Sequence, residues 1–85
     1  MNARSRDRWF TVVDGARVRQ LRRMNGLSPA ELAGQAGIGL STVLRIERQP
    51  GRFCRTRTLA RLATALGQPP ATLVPAQPSP GDAGH

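Results

Sequence analysis

The chain has no lysine, a single cysteine, a single histidine and no long apolar run, and each scarcity removes a class of function. Cys54 alone cannot close an internal disulfide, which excludes a disulfide-stapled secreted scaffold and points to a reducing interior. The one histidine is His85, and no two carboxylates fall close together on one helical face, so the chain does not read as an enzyme and calls for no metal or cofactor. The apolar runs are too short to span a bilayer, and the arginine-rich start lacks the apolar stretch of a signal peptide. Together these absences indicate a cytoplasmic protein with no membrane partner. At 85 residues there is room for one small core and no second domain.

What the chain does have is arginine. Basic residues outnumber acidic ones 13 to 5, the formal net charge is +8, and every basic residue is arginine. The planar guanidinium fork matches phosphate oxygens and the guanine edge in a way that an ammonium cannot. A GC-rich genome yields the same composition, however, so the placement of the arginines has to decide whether they mean DNA.

Residues 1–8 carry Arg4, Arg6 and Arg8 on a polar background and read as a flexible basic arm. Trp9 to Val13 is apolar or β-branched, too short to form a sheet alone, and reads as a tether against a helical core. A first helix starts at Asp14, whose carboxylate suits an N-cap, with Val13 and Val18 as a hydrophobic staple. Val18, Leu21 and Arg22 share its inner face, Arg17, Arg19, Gln20 and Arg23 point elsewhere, and Gly26 ends it.

The second helix has the clearest start signal in the chain: Ser28 as N-cap, Pro29 at the first helical position and Glu31 completing a capping box, with Leu27 and Leu32 as its staple. Gly37 stops it. The third helix runs from Leu40 to Arg48 with Gly39 at its cap, turning Val43, Ile46 and the stem of Glu47 inward and Leu40, Ser41, Leu44, Arg45 and Arg48 outward. A loop from Gln49 to Arg57 follows. A fourth helix from Thr58 to Leu66 buries Leu59, Leu62, Ala63 and Leu66, and Pro70 opens one more turn that drops Leu73 and Val74 onto the core. The domain therefore spans 9–74, and 75–85, rich in Pro, Gly and Ala, reads as a disordered tail.

Two short helices joined by a tight turn cross steeply only where small residues line the crossing, and Ala33, Gly37 and Val43 are assigned that role. The helix after such a turn projects from the surface, and a nine-residue helix flanked by arginines fits the major groove. The amides opening the second helix, near Ser28, are placed to hold a phosphate.

The run from Leu27 through Gly37 to Arg48, together with Val18-Arg19-Gln20-Leu21-Arg22 upstream and Thr58 to Gly67 downstream, strongly resembles the Cro/repressor family, also called XRE-like. The resemblance covers about two-thirds of the chain and implies an all-α fold: a compact bundle of four to five short helices, lambda-repressor-like, with a helix-turn-helix. It implies a sequence-specific double-stranded DNA-binding transcription regulator, a repressor. By the same resemblance Leu40, Ser41, Leu44 and Arg45 face bases, while Ser28, Thr42, Arg48, Arg52, Arg55 and Arg57 serve the DNA backbone. Arg45 suits bidentate guanine reading or a phosphate, and the two leucines suit a thymine methyl or the core. The family also pairs the positions of Arg22 and Glu47 in a partly buried salt bridge between first and third helices.

Two departures stand out. Pro29 occupies a place where many members carry a glutamine that clamps the DNA backbone, and Gln49-Pro50 replaces a more frequent glycine. The rival reading is a protein-interaction module or antitoxin-type protein, whose partner would be a toxin or an RNA polymerase subunit. Specific binding by so small a domain implies a homodimer on DNA, with Trp9, Phe10 and Val12, or Leu73 and Val74, either at the interface or filling the monomer core.

Overall fold

The computed structural model describes residues 9–48 and 53–75. The elements in chain order are β1 (Phe10–Val12), α1 (Gly15–Met24), α2 (Pro29–Ala36), α3 (Leu40–Arg48), β2 (Phe53–Arg55), α4 (Thr56–Leu66) and a closing 3₁₀ turn (Pro70–Leu73). The basic arm, the Gln49-Pro50 departure, Arg52 and the tail from 76 onward lie outside the described residues.

Local chemistry sets most boundaries. The Asp14 carboxylate accepts from the Arg17 amide at 3.1 Å and starts α1. At its other end the Leu27 amide reaches back to the Arg22 carbonyl and Gly26 to Arg23, both at 3.0 Å, which satisfies carbonyls the helix leaves open. The capping box of α2 is reciprocal: the Glu31 amide donates to Ser28 Oγ at 3.0 Å and the Ser28 amide to Glu31 Oε1 at 2.8 Å. That helix ends at Gly37, whose φ of 70° is a left-handed conformation that a Cβ would strain.

The core is the sum of the inward stripes. Val13, Val18, Leu32, Val43, Leu62 and Leu73 are fully inaccessible, and Leu21, Ala33, Ala36, Ile46, Leu59, Ala63 and Leu66 complete the cluster. Each buried large aliphatic side chain contributes roughly 1.5–3 kcal/mol of transfer free energy as an upper bound. Leu73 and the half-buried Val74 belong to this monomer core, and the Asp14 amide donates to the Leu73 carbonyl at 2.7 Å, so the closing turn ties the chain's end to the start of α1.

Three expectations change. The Trp9–Val13 tether contains a strand: β1 pairs antiparallel with β2, with Phe10 opposite Arg55, Thr11 opposite Cys54 and Val12 opposite Phe53. The segment read as a loop up to Arg57 accordingly holds β2, and α4 begins at Thr56 rather than Thr58. The strand delivers Arg55 in an extended conformation straight into the helix, and no side chain caps that start, so nothing in the local sequence announces it. Gly37, assigned to the helix crossing, is instead exposed and serves the turn. The glycine that permits close approach is Gly15, where a Cβ would overlap the Ile46 carbonyl oxygen. Among the described residues no helix is long and apolar enough to cross a membrane.

Candidate nucleic-acid interface

The phase of α3 decides what the molecule presents. Val43 and Ile46 are buried, Thr42, Leu44 and Glu47 are half-buried, and Leu40, Ser41, Arg45 and Arg48 are exposed. Nine residues at 1.5 Å rise make a rod of roughly 13 Å, comparable with the roughly 12 Å width of the major groove. The two leucines part company. Leu40 is 44% exposed and stands at the start of the free face, whereas Leu44 leans into a cleft it shares with Arg19, Arg22, Pro29, Glu47 and Arg48.

Beside its buried Val43 and Ile46, two contacts fix the seat of this helix on the globule. The first is the close backbone approach at Gly15. The second is a two-pronged ion pair: Arg22 Nε donates to Glu47 Oε2 at 2.8 Å and Arg22 Nη2 to Oε1 at 3.0 Å, with the two side chains 10% and 7% exposed. Arg22 Nη1 adds a 2.8 Å bond to the Leu27 carbonyl in the connection between α1 and α2. The Glu47 hydrogen bonds raise the Arg22 pKa against the opposing effect of burial, so the guanidinium is permanently charged. One side chain thus joins α1, the α1–α2 connection and α3. It also neutralises the only carboxylate on α3, which leaves the net charge of the free face positive.

The turn between α2 and α3 has a clamp the sequence did not disclose. Arg61, projecting from α4, donates through Nη1 to the Gly37 carbonyl at 3.2 Å. The guanidinium supports the turn from behind, on a residue that the helical pattern marks only as solvent-facing.

The start of α2 is less open to an anion than its capping residues imply. The amides of Ser28 and Glu31 are taken by the capping box and Pro29 has none, leaving the Ala30 amide as the free donor of the first turn. Backbone and side-chain hydrogen bonds from Ser28 pull the Glu31 pKa down, so a carboxylate stays ionised at this helix end.

On the opposite flank of α3, the β1–β2 ribbon forms a second cleft in which Phe10, Phe53 and Arg55 border Thr42 and Arg45. Arg55 and Arg57 are exposed. Cys54 lies half-buried on the inner side of this ribbon. Burial pushes its pKa up, the reverse of the arginine-lowered, reactive thiol that its neighbours in sequence would favour. The sequence reading overlooked Arg19, which borders the same cleft as Arg48, and Gly15. The first carries no signal beyond its charge, and the second is a helix-start glycine whose partner is 31 positions away.

Comparison with known proteins agrees with this architecture. A family model described as a helix-turn-helix domain matches residues 15–76. No curated protein matches the chain. Among solved structures, the restriction-modification controller protein C.AhdI from Aeromonas hydrophila is 38% identical with a TM-score of 0.63, over 68% of this chain and 86% of that one. The N-terminal DNA-binding domain of the master biofilm regulator SinR from Bacillus subtilis is 29% identical with a TM-score of 0.63, over 75% and 93%. SinR in complex with DNA is 31% identical with a TM-score of 0.58, over 68% of this chain and 92% of that one.

Proposed function

This chain belongs to the Cro/repressor-like helix-turn-helix family, and from that membership we propose that it is a DNA-binding transcription regulator that lays α3 in the major groove of duplex DNA. The observation that carries the reading is the free face of α3. Ser41, Arg45 and Arg48 stand exposed there beside Leu40, while the helix's one carboxylate is tied down by Arg22. A relative solved with DNA bound supports the same partner for this chain.

In this mechanism Arg45 reads a base edge, with Ser41 as a second polar reader and Leu40 against a thymine methyl, only the open edge of the half-buried Leu44 standing beside it. Thr42 and Arg48 sit nearer the sugar-phosphate wall, with Arg55 on one flank, Arg19 on the other and Arg57 farther off by the end of α2, and supply affinity without sequence choice. The Arg22–Glu47 pair and Gly15 hold the angle at which α3 is presented. One such helix makes few base contacts, so two copies bind about one helical turn apart on a near-palindromic site, and binding there represses transcription. The site of action is the cytoplasm. A protein-interaction or antitoxin role is not favoured, because the free face of α3 mixes arginine and serine with Leu40 instead of offering a continuous apolar patch.

Selection of bound sequences from a random duplex pool tests the reading. Recovery of a short two-fold-symmetric motif is the expected result. No enrichment, with no binding to any duplex in dilute buffer, overturns it.

A further inference from the structure

Every aromatic side chain of this protein is on or next to the ribbon, and none is buried. The sequence has one tryptophan, two phenylalanines and no tyrosine. Trp9 is 65%, Phe10 47% and Phe53 66% exposed. The register explains how β1 and β2 present the phenylalanines. Cross-strand partners share a face, and residues two apart on a strand return to it. The Phe10–Arg55 and Val12–Phe53 pairs therefore lie together on one side, and Thr11 with Cys54 on the other. Cys54 packs against the core, so the side bearing Phe10, Val12, Phe53 and Arg55 is the outer one. An apolar surface left out on so short a ribbon calls for an occupant.

Charge and position select that occupant. Between Glu47 and Asp82 the sequence holds no carboxylate, while Arg48, Arg52, Arg55, Arg57 and Arg61 all fall there. A second copy docking ribbon to ribbon would bring like charges together. A polyanion meets arginine and aromatic rings at once. The ribbon also borders α3 on its Thr42 and Arg45 side, so when α3 lies in a major groove this ribbon lies over the adjoining sugar-phosphate wall, where the next surface is the minor groove.

Resting on the DNA reading above, we infer that the β1–β2 ribbon is a second DNA-contacting element, a wing whose outer face docks across the backbone beside the α3 groove. Arg55 meets a phosphate, and Phe53 with Phe10 presses an apolar edge against the minor groove, the kind of apolar contact that minor-groove proteins make with base steps. The wing lengthens the contacted site without reading further major-groove edges.

The test compares the wild-type chain with the Phe10→Ala/Phe53→Ala double variant and each single variant, all checked for an unchanged thermal melt. The probes are a 30-base-pair duplex carrying the selected motif and the same duplex cut flush at the outermost base pairs of that motif. Wild type is expected to bind the long duplex on the order of tenfold more tightly than the cut one. The double variant is expected to lose most of that difference, Arg55 alone still meeting the flanking phosphate, and hydroxyl-radical protection of the flank should weaken while guanine N7 protection within the motif persists. The emission of Trp9, the only tryptophan, should change with the long duplex and not with the cut one. If well-folded variants bind the long duplex as wild type does, with the same footprint, the wing is refuted and the α3 reading stands. Dissociation of a wild-type dimer by the double substitution, without loss of flank protection, assigns the ribbon to a contact between copies and equally refutes the wing. Failure of wild type to bind any duplex removes both readings.

Discussion

The Cα of Gly15 lies against the carbonyl of Ile46, so closely that any β-carbon at that position would overlap the oxygen. The obstacle is backbone, which cannot swing aside as a flexible side chain would. Gly15→Ala is therefore expected to push α3 off α1 and to destabilise the fold by about 1–3 kcal/mol or more. For a domain of this size that is roughly 4–8 °C of Tm for each kcal/mol. Gly34 is the internal control: it lies within α2, in open space and without a positive φ. Gly34→Ala should raise stability by about 0.5–1 kcal/mol. Thermal unfolding of the two variants should move in opposite directions; equal shifts would refute the close-approach account.

Removing one partner of the Arg22–Glu47 pair strands a nearly buried charge. Glu47→Ala is expected to cost about 3–5 kcal/mol, and adding Arg22→Met to recover part of that loss, because an apolar pair of similar volume needs no counter-ion. Denaturant titration of the single and double variants measures the coupling. A Glu47→Ala protein as stable as wild type would show that the pair is only a surface contact.

Arg45 and Arg55 separate reading from holding. Arg45→Ala should flatten preference at one base position, worth about 1–3 kcal/mol of discrimination, whereas Arg55→Ala should weaken all duplexes alike. The logarithm of affinity should fall by about 0.9 per neutralised phosphate for each unit of log salt, and Arg55→Ala should reduce that slope by about one. Fluorescence anisotropy across a salt series checks both, and a slope unchanged by Arg55→Ala would deny that residue a phosphate.

The capping box makes a pH prediction. Glu31 has its folded-state pKa depressed by the Ser28 hydrogen bonds, so its contribution is present above the unfolded carboxylate pKa and is lost as pH falls through the lower folded value. The side-chain carbon signal of Glu31 in an NMR titration should therefore move at lower pH than in the unfolded chain. The difference in Tm between wild type and Glu31→Gln should shrink in the same acid range. Titration at the unfolded-chain pH would mean the box is open in solution.

Burial of Cys54 raises its thiol pKa. At neutral pH the folded protein should react with a thiol reagent more slowly than the unfolded chain, with the rate rising as denaturant opens the ribbon. Faster labelling of the native state than of the unfolded chain would contradict the half-buried position.

The sequence alone determined the features that depend on neighbours a few positions apart. The Asp14 cap, the Ser28–Glu31 box and the stripe of Leu59, Leu62, Ala63 and Leu66 follow from helical spacing and local hydrogen bonding, and the bounds of α3 follow with them. The tertiary structure decided what depends on residues far apart in the chain. Gly15 meets Ile46, Arg61 reaches Gly37, and Phe10 to Val12 find their strand partner more than forty positions on. Neither strand carries more than three residues, so no periodicity announces a sheet that exists only because the folded helices bring its halves together.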